Sequence, residues 1–176
     1  ATKPLFVLTS LPMTINPGVL HQLVDRTMPV LSERAPGKTL DDLTRLAARV
    51  KQGAKIQVTE QYFLQPHHAA RLAFVHSRKF GRVSQAQISA DGGLGLLRKY
   101  LGVSLENPTI TATAVTSPLL KFNKRLEPEA GATLVNSNQT IAWLDYGDRF
   151  GVFDFDGEQY GSPIRNQRVL VRGERG

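Results

Sequence analysis

The stretch ISADGGLGLLRKYLGV, residues 88–103, runs from strand-like residues through Asp91, Gly92 and Gly93 into a short helix-forming segment that carries Arg98 and Lys99. Glycines at such a junction let the backbone come close to a ligand. The first N–H groups of the helix, with the positive end of its dipole, favour an anion. Gly92, Gly93 and Gly95 are therefore candidates to cradle a phosphate, with Arg98 and Lys99 adding charge where it grows during transfer. The pattern is neither G-x-x-x-x-G-K-[ST] nor G-x-G-x-x-G, and the same glycines would also serve a plain turn.

A second group is basic. RLAFVHSRKFGR, residues 71–82, holds Arg71, Arg78, Lys79 and Arg82 with Phe74 and Phe80 interleaved, and KFNKR supplies Lys121, Lys124 and Arg125. Cations can follow a nucleic-acid backbone and aromatic rings can stack on unpaired bases, with affinity that falls as salt rises. On a helix the two phenylalanines would instead face a core and leave a solvated basic surface.

The carboxylates Asp145, Asp148, Asp154, Asp156 and Glu158 gather in one segment. Asp154 and Asp156 share one side of a strand, a spacing able to grip a divalent cation, although Asp156 before Gly157 also suits a turn. His67 and His68 diverge by about 100° on a helix, with His76 two turns on; they read as solvated or capping residues, so no metal ligand set is assigned. No serine sits in a nucleophile-elbow pattern.

Composition bounds these readings. The 176 residues include 22 Lys and Arg against 15 Asp and Glu, a net charge of +7 that favours polyanionic partners. The absence of cysteine excludes disulfides, Cys-ligated zinc and thiol catalysis. Apolar runs such as LFVL fall far short of a bilayer span. The chain opens on Ala1, as it would if a leading segment had been removed or omitted.

The elements that must position these groups alternate. PLFVLTSLPMTI suits a strand and VLHQLVDRTMPVL a helix. GKTLDDLTRLAARVKQG has the clearest helix signals: Thr39 as N-cap, Asp41 and Asp42 in the first turn, Lys51 in the last and Gly53 beyond it. Leu40, Leu43, Ala47 and Val50 form its apolar stripe, expected to dock on a core. A strand in AKIQVTEQYFL, a helix opened by Pro66, a strand in RVSQAQISA, a helix closed by Gly102 and a strand in NPTITATAV follow. After Pro118 short strands suggest an antiparallel meander. The expected organisation is one α/β (α+β) domain with a mixed sheet: an α/β core over 1–118, a β-rich extension over 119–163 with a linker near 124–132, and a frayed basic tail over 164–176.

The run LDDLTRLAARVKQGAKIQV, then a strand into ADGG, then LGLLRKYLGVSLENPTITATAV, resembles the ParB/sulfiredoxin superfamily over roughly residues 39–116. Within it the resemblance is to plasmid fertility-inhibition proteins. It implies a ParB/sulfiredoxin-like fold, hydrolysis of ATP with Mg²⁺ or another divalent cation, and cleavage of DNA. Asp91 and Arg98 would be the catalytic residues at the glycine turn. It further implies that transfer of plasmid or T-DNA through a type IV secretion system is blocked, in the cytoplasm or beside the inner membrane at that apparatus. Where the family places His or Arg after Asp-Gly-x, this chain has Leu94 and Gly95. A non-catalytic adaptor masking a secretion component, or a DNA-binding module without cleavage, fits the same basic surface.

Overall fold

The computed structural model describes residues 4–90, 92–122, 131–158 and 168–176. The chain divides into two compact units, 1–61 and 62–176.

The first unit is a βαβαβ arrangement. Strands β1 (Val7–Thr9), β2 (Val30–Ser32) and β3 (Ile56–Val58) lie parallel in the order β1-β2-β3, joined through helices α1 (Asn16–Asp25) and α2 (Leu40–Lys51). Pro17 in the first turn of α1 presets its backbone. Helix α2 starts on a complete capping box: Thr39 Oγ1 accepts from the Asp42 N–H at 3.1 Å, and the Asp42 carboxylate accepts from the Thr39 N–H at 3.1 Å. Each crossover contains a helix and is long enough to return the chain to a parallel neighbour.

The core of this unit is small, with Leu20, Val30 and Leu46 buried and Leu23 and Ile56 packed on them. Two sequence expectations are corrected here. MPVL does not extend α1, because Val30–Ser32 is the central strand. The α2 stripe of Leu40, Leu43, Ala47 and Val50 is exposed, and Leu46 alone on that helix is buried. Leu46, three residues after Leu43 and four before Val50, borders that stripe and is the residue that packs on Leu20 and Val30. The sheet face bearing Leu8 is likewise open, with Leu8 59% exposed.

The second unit begins with a single 3-10 turn, Tyr62–Leu64, and helix α3 (Pro66–His76), then strand β4 (Val83–Ser89) and helix α4 (Gly93–Leu101). Strands β5 (Thr109–Phe122), β6 (Ala132–Asp145) and β7 (Phe150–Asp156) form an antiparallel meander, which thus begins with the NPTITATAV strand expected in the α/β core rather than after Pro118. The sheet order is β5-β6-β7-β4-β8, with β7 parallel to β4 and β8 (Arg168–Gly173) antiparallel to it. The basic tail is therefore not frayed over 168–173: it is a paired edge strand. Position 118 falls inside β5, and the linker residues 124–130 lie outside the described residues.

Helix α4 covers one face of this sheet. Leu96, Leu97, Tyr100 and Leu101 are buried with Ala86, Ile88, Ala142 and Leu144. Gly151 on β7 makes the close approach, since a Cβ there would stand 2.9 Å from Cδ2 of Leu97. On the opposite face Trp143 stacks on Phe150 with ring centroids 4.3 Å apart.

The overall class is thus α/β with a parallel sheet and a mixed sheet. The ParB/sulfiredoxin-like single mixed sheet is not formed: β3 belongs with β1 and β2, whereas β4 pairs with β7 and β8. The helix-strand alternation read from the sequence is common to both arrangements, and it carries no information about which strands pair. Among the described residues no helix is long and apolar enough to cross a membrane.

Candidate functional site

Gly92 and Gly93, before α4 and at its start, each have a side chain of the protein close by. Gly92 caps the helix with φ +64°, and a Cβ on it would stand 2.5 Å from Cε2 of the Tyr62 ring. Gly93 is buried, and its Cβ would stand 2.9 Å from Cγ2 of Ile88. Both glycines are accounted for by packing and by the left-handed backbone. Gly95 is half-buried one turn in, and Asp91 lies outside the described residues.

Arg98 and Lys99 occupy the last turn of α4, some 8–9 Å along the axis from its start. They complement the negative end of the helix dipole rather than an anion at the positive end. Lys99 places Nζ 4.2 Å from the centre of the Phe63 ring. The structure does not bring Arg98 or Lys99 to Gly92 and Gly93.

The basic residues are dispersed. Arg82 pairs with Asp148 at 3.3 Å and Glu174 at 3.4 Å, and Lys121 pairs with Glu158 at 2.8 Å. Arg71 hydrogen-bonds Tyr100, while Arg78 and Lys79 stay exposed. Lys124 and Arg125 lie outside the described residues. Phe74 and Phe80 meet with centroids 5.4 Å apart; Phe80 packs on the core and Phe74 is 54% exposed.

The carboxylates do not converge. Asp154 accepts from Gln139 at 2.7 Å, and buried Asp156 accepts from Ser137 and from the Glu158 N–H. Asp148 is held below the ordinary carboxylate range chiefly by its hydrogen bond from Arg149. Among the described residues no group of three His, Asp or Glu side chains could hold a metal ion. His68 is buried with Nδ1 3.3 Å from the Tyr100 hydroxyl, and desolvation holds its pKa below the usual value.

A different cluster stands at the carboxyl ends of β1, β2 and β3. Thr9, Ser32 and Asn16 are polar yet 4% exposed or less. Asn16, first residue of α1, donates through Nδ2 to Ser32 Oγ at 3.0 Å and to the Ala35 carbonyl at 3.2 Å; Ser32 Oγ donates to the Arg34 carbonyl at 2.7 Å. The rim is tied by the Glu33 N–H to the Thr9 carbonyl at 2.9 Å, the Thr59 N–H to the Ser32 carbonyl at 2.8 Å and the Ser10 hydroxyl to the Glu33 carboxylate.

Two atoms in this cluster are unsatisfied. Thr9 Oγ1 and Asn16 Oδ1 are buried without a hydrogen-bond partner among the described residues. Buried polar atoms are nearly always paired, so two orphans in one buried cluster mark a place where an outside polar group completes it. Ligands of open α/β sheets bind outside the carboxyl ends of parallel strands, where this pair lies. The sequence carried a signal for it that was not used: VLTS, VLSE and QVTE each end an apolar strand on a hydroxyl residue followed by Ser or Glu.

No protein-family model and no curated protein matches the chain. Solved structures do. A proposed myo-inositol dehydrogenase from Sinorhizobium meliloti aligns with a TM-score of 0.73 at 15% identity, over 100% of this chain and 57% of its own. GenD2 of gentamicin A biosynthesis, in complex with NAD, aligns at 0.69 and 19% identity over 98% of this chain and 53% of its own. An oxidoreductase from Agrobacterium radiobacter, in complex with NAD⁺, L-tartaric acid and magnesium, aligns at 0.67 and 14% identity over 97% and 54%. The chain spans about half the length of these structures.

The fold is thus that of inositol dehydrogenase-like oxidoreductases, not of ParB/sulfiredoxin proteins. The resemblance to fertility-inhibition factors such as the oncogenic suppression activity protein is overturned by these matches. With it go inhibition of conjugative transfer through ATPase and DNase activity and the reading of ATP with Mg²⁺ as cofactors.

Proposed function

We propose that the chain is part of an NAD-dependent oxidoreductase, and that residues 7–60 supply the nicotinamide side of its dinucleotide crevice. The observation that carries this is the pair of unpartnered buried oxygens, Thr9 Oγ1 and Asn16 Oδ1, at the carboxyl end of β1 in a parallel βαβαβ unit. Dinucleotide-binding sheets are built from two such halves, and the cofactor lies across the point where strand order reverses. NAD-bound structures of the same fold support the reading.

The donor set fits one end of the cofactor and not its middle. TSLPMTI, residues 9–15, has no glycine, so nothing after β1 lets a backbone approach a pyrophosphate. A neutral ligand group that both donates and accepts, a ribose hydroxyl or the nicotinamide carboxamide, suits a threonine hydroxyl and an amide oxygen in one cluster. When bound, NAD supplies the acceptor for a hydride. Thr9 and Asn16 orient the neutral end, Ser32 fixes the Asn16 amide, and the Ser10 to Glu33 contact holds the rim. The pyrophosphate falls to groups outside residues 7–60.

Saturation-transfer NMR with NAD⁺ and the full chain tests this. Saturation is expected to be strongest on the nicotinamide ring and its ribose, and to fall in Thr9→Val. Strongest transfer to the adenine protons, or an unchanged pattern in Thr9→Val, would refute the assignment.

A further inference from the structure

Within residues 62–176 a pocket of about 640 Å³ opens among the ends of α3 and α4 and the turn after β8. Arg78, Arg82, Arg149 and Arg175 line it, against a single lining carboxylate, Glu174. Buried Val75 and Leu101 give it an apolar wall.

Two of these arginines are already answered. Arg149 forks onto Asp148, Nε to Oδ1 at 2.9 Å and Nη2 to Oδ2 at 3.2 Å, and donates Nη1 to the Leu101 carbonyl at 2.9 Å. Arg82 reaches Asp148 and Glu174. Asp148 and Glu174 thus answer two guanidiniums by contact, and Glu106 adds a negative charge within electrostatic reach of Arg149. The side chains of Arg78 and Arg175 have no ion pair or hydrogen bond among the described residues, leaving two unpaired guanidiniums at one pocket.

The frame around them is fixed by backbone. The Glu174 N–H donates to the Arg82 carbonyl at 3.1 Å, the Arg175 N–H to the Phe80 carbonyl at 3.0 Å, and the Arg82 N–H to the Glu174 carboxylate at 3.1 Å. The turn after β8 is thereby clasped to the loop after α3.

Arg78 is also strained. It follows Ser77, the C-cap of α3, and adopts φ +57° at the position where helices usually place glycine. Left-handed non-glycine residues are unfavourable and concentrate where a side chain is needed at a site.

We propose that this pocket binds a phosphate dianion, free or as the phosphomonoester of a small molecule, between Arg78 and Arg175. Two unpaired guanidiniums suit a dianion, and their planar forks match phosphate oxygens. The volume exceeds what inorganic phosphate alone would fill, and the apolar wall gives an organic portion a surface to rest on.

Isothermal titration of the full chain at constant ionic strength, with inorganic phosphate and with glycerol phosphate, tests it. Both should bind one to one, and the tighter of the two names the source. Arg78→Gly should weaken binding about tenfold, the loss of one charge-assisted contact, with thermal unfolding unchanged or raised because glycine relieves the left-handed strain. Lys79→Ala, next to the pocket but not lining it, should leave the affinity unchanged.

No heat with either anion, or equal weakening by Arg78→Gly and Lys79→Ala, would overturn the proposal. So would a single-stranded oligonucleotide that binds more tightly than both small anions and is weakened equally in the two variants. That surface would follow a nucleic-acid backbone instead.

Discussion

Two junctions in this molecule look like places for a ligand, and they differ in what is already there. The turn into α4 has glycines and a helix amino end, but Tyr62 lies on Gly92 and Ile88 lies against Gly93. The loop after β1 has no glycine, yet Thr9 and Asn16 bury oxygens without a partner among the described residues. At the first the glycines already have neighbours; at the second two oxygens do not. A glycine pair reports only that something approaches the backbone closely, and here that something is the protein's own side chains. An unpaired buried oxygen reports a missing partner.

The largest effect should come from the completed turn. Gly92→Ala sets a Cβ against the Tyr62 ring and forces alanine to φ +64°, for a loss of about 2–4 kcal/mol by urea unfolding. In a Tyr62→Ala background the penalty should shrink to the backbone share, about 1–2 kcal/mol. An equal loss in both backgrounds would mean that the ring is not what the glycine accommodates.

Asn16→Ala comes next. It removes the amide that donates to Ser32 and Ala35 and strands those acceptors in a buried place, for about 1–3 kcal/mol. A neutral result would show that the cluster has no structural tension to relieve.

Thr39→Ala removes the α2 cap for about 1 kcal/mol. It should also raise the pKa of Asp42, which the Thr39 side chain and N–H hold below the ordinary carboxylate value. Because that pKa is lowered in the folded state, its contribution is present at neutral pH and fades as pH falls through the folded value. The variant should therefore differ least from the native chain in strong acid, as read from urea midpoints across pH.

Thr9→Val should affect stability least. It deletes a hydroxyl without a partner and keeps the shape, so unfolding should be unchanged or slightly favoured towards the folded state. Its effect belongs to ligand binding. A clear destabilisation would mean that the hydroxyl already has a partner.

Local elements were legible in the sequence wherever a local rule fixes them. Thr39 and Asp42 announced the start of α2, Gly102 the end of α4, and the short strand-like runs after Pro118 the β6–β7 pair. Strand pairing was not legible, because the three-residue strands β1 to β3 carry no register information beyond their apolar residues. The α2 stripe misled for the same reason: periodicity identifies an apolar face, not what covers it. The glycine turn drew the eye through residue type, whereas Thr9 and Asn16 are unremarkable until their burial is known. Spacing did show that Arg98 and Lys99 lie about one and a half turns into the helix, and in α4 that is its last turn.

The most direct test maps amide shifts in the ¹⁵N-labelled full chain on adding nicotinamide riboside, which carries no phosphate. Shifts should concentrate at Ser10, Asn16 and Glu33 and leave Gly92, Gly93 and Gly95 still. Shifts at the three glycines with none at the ends of β1 and β2 would contradict the assignment.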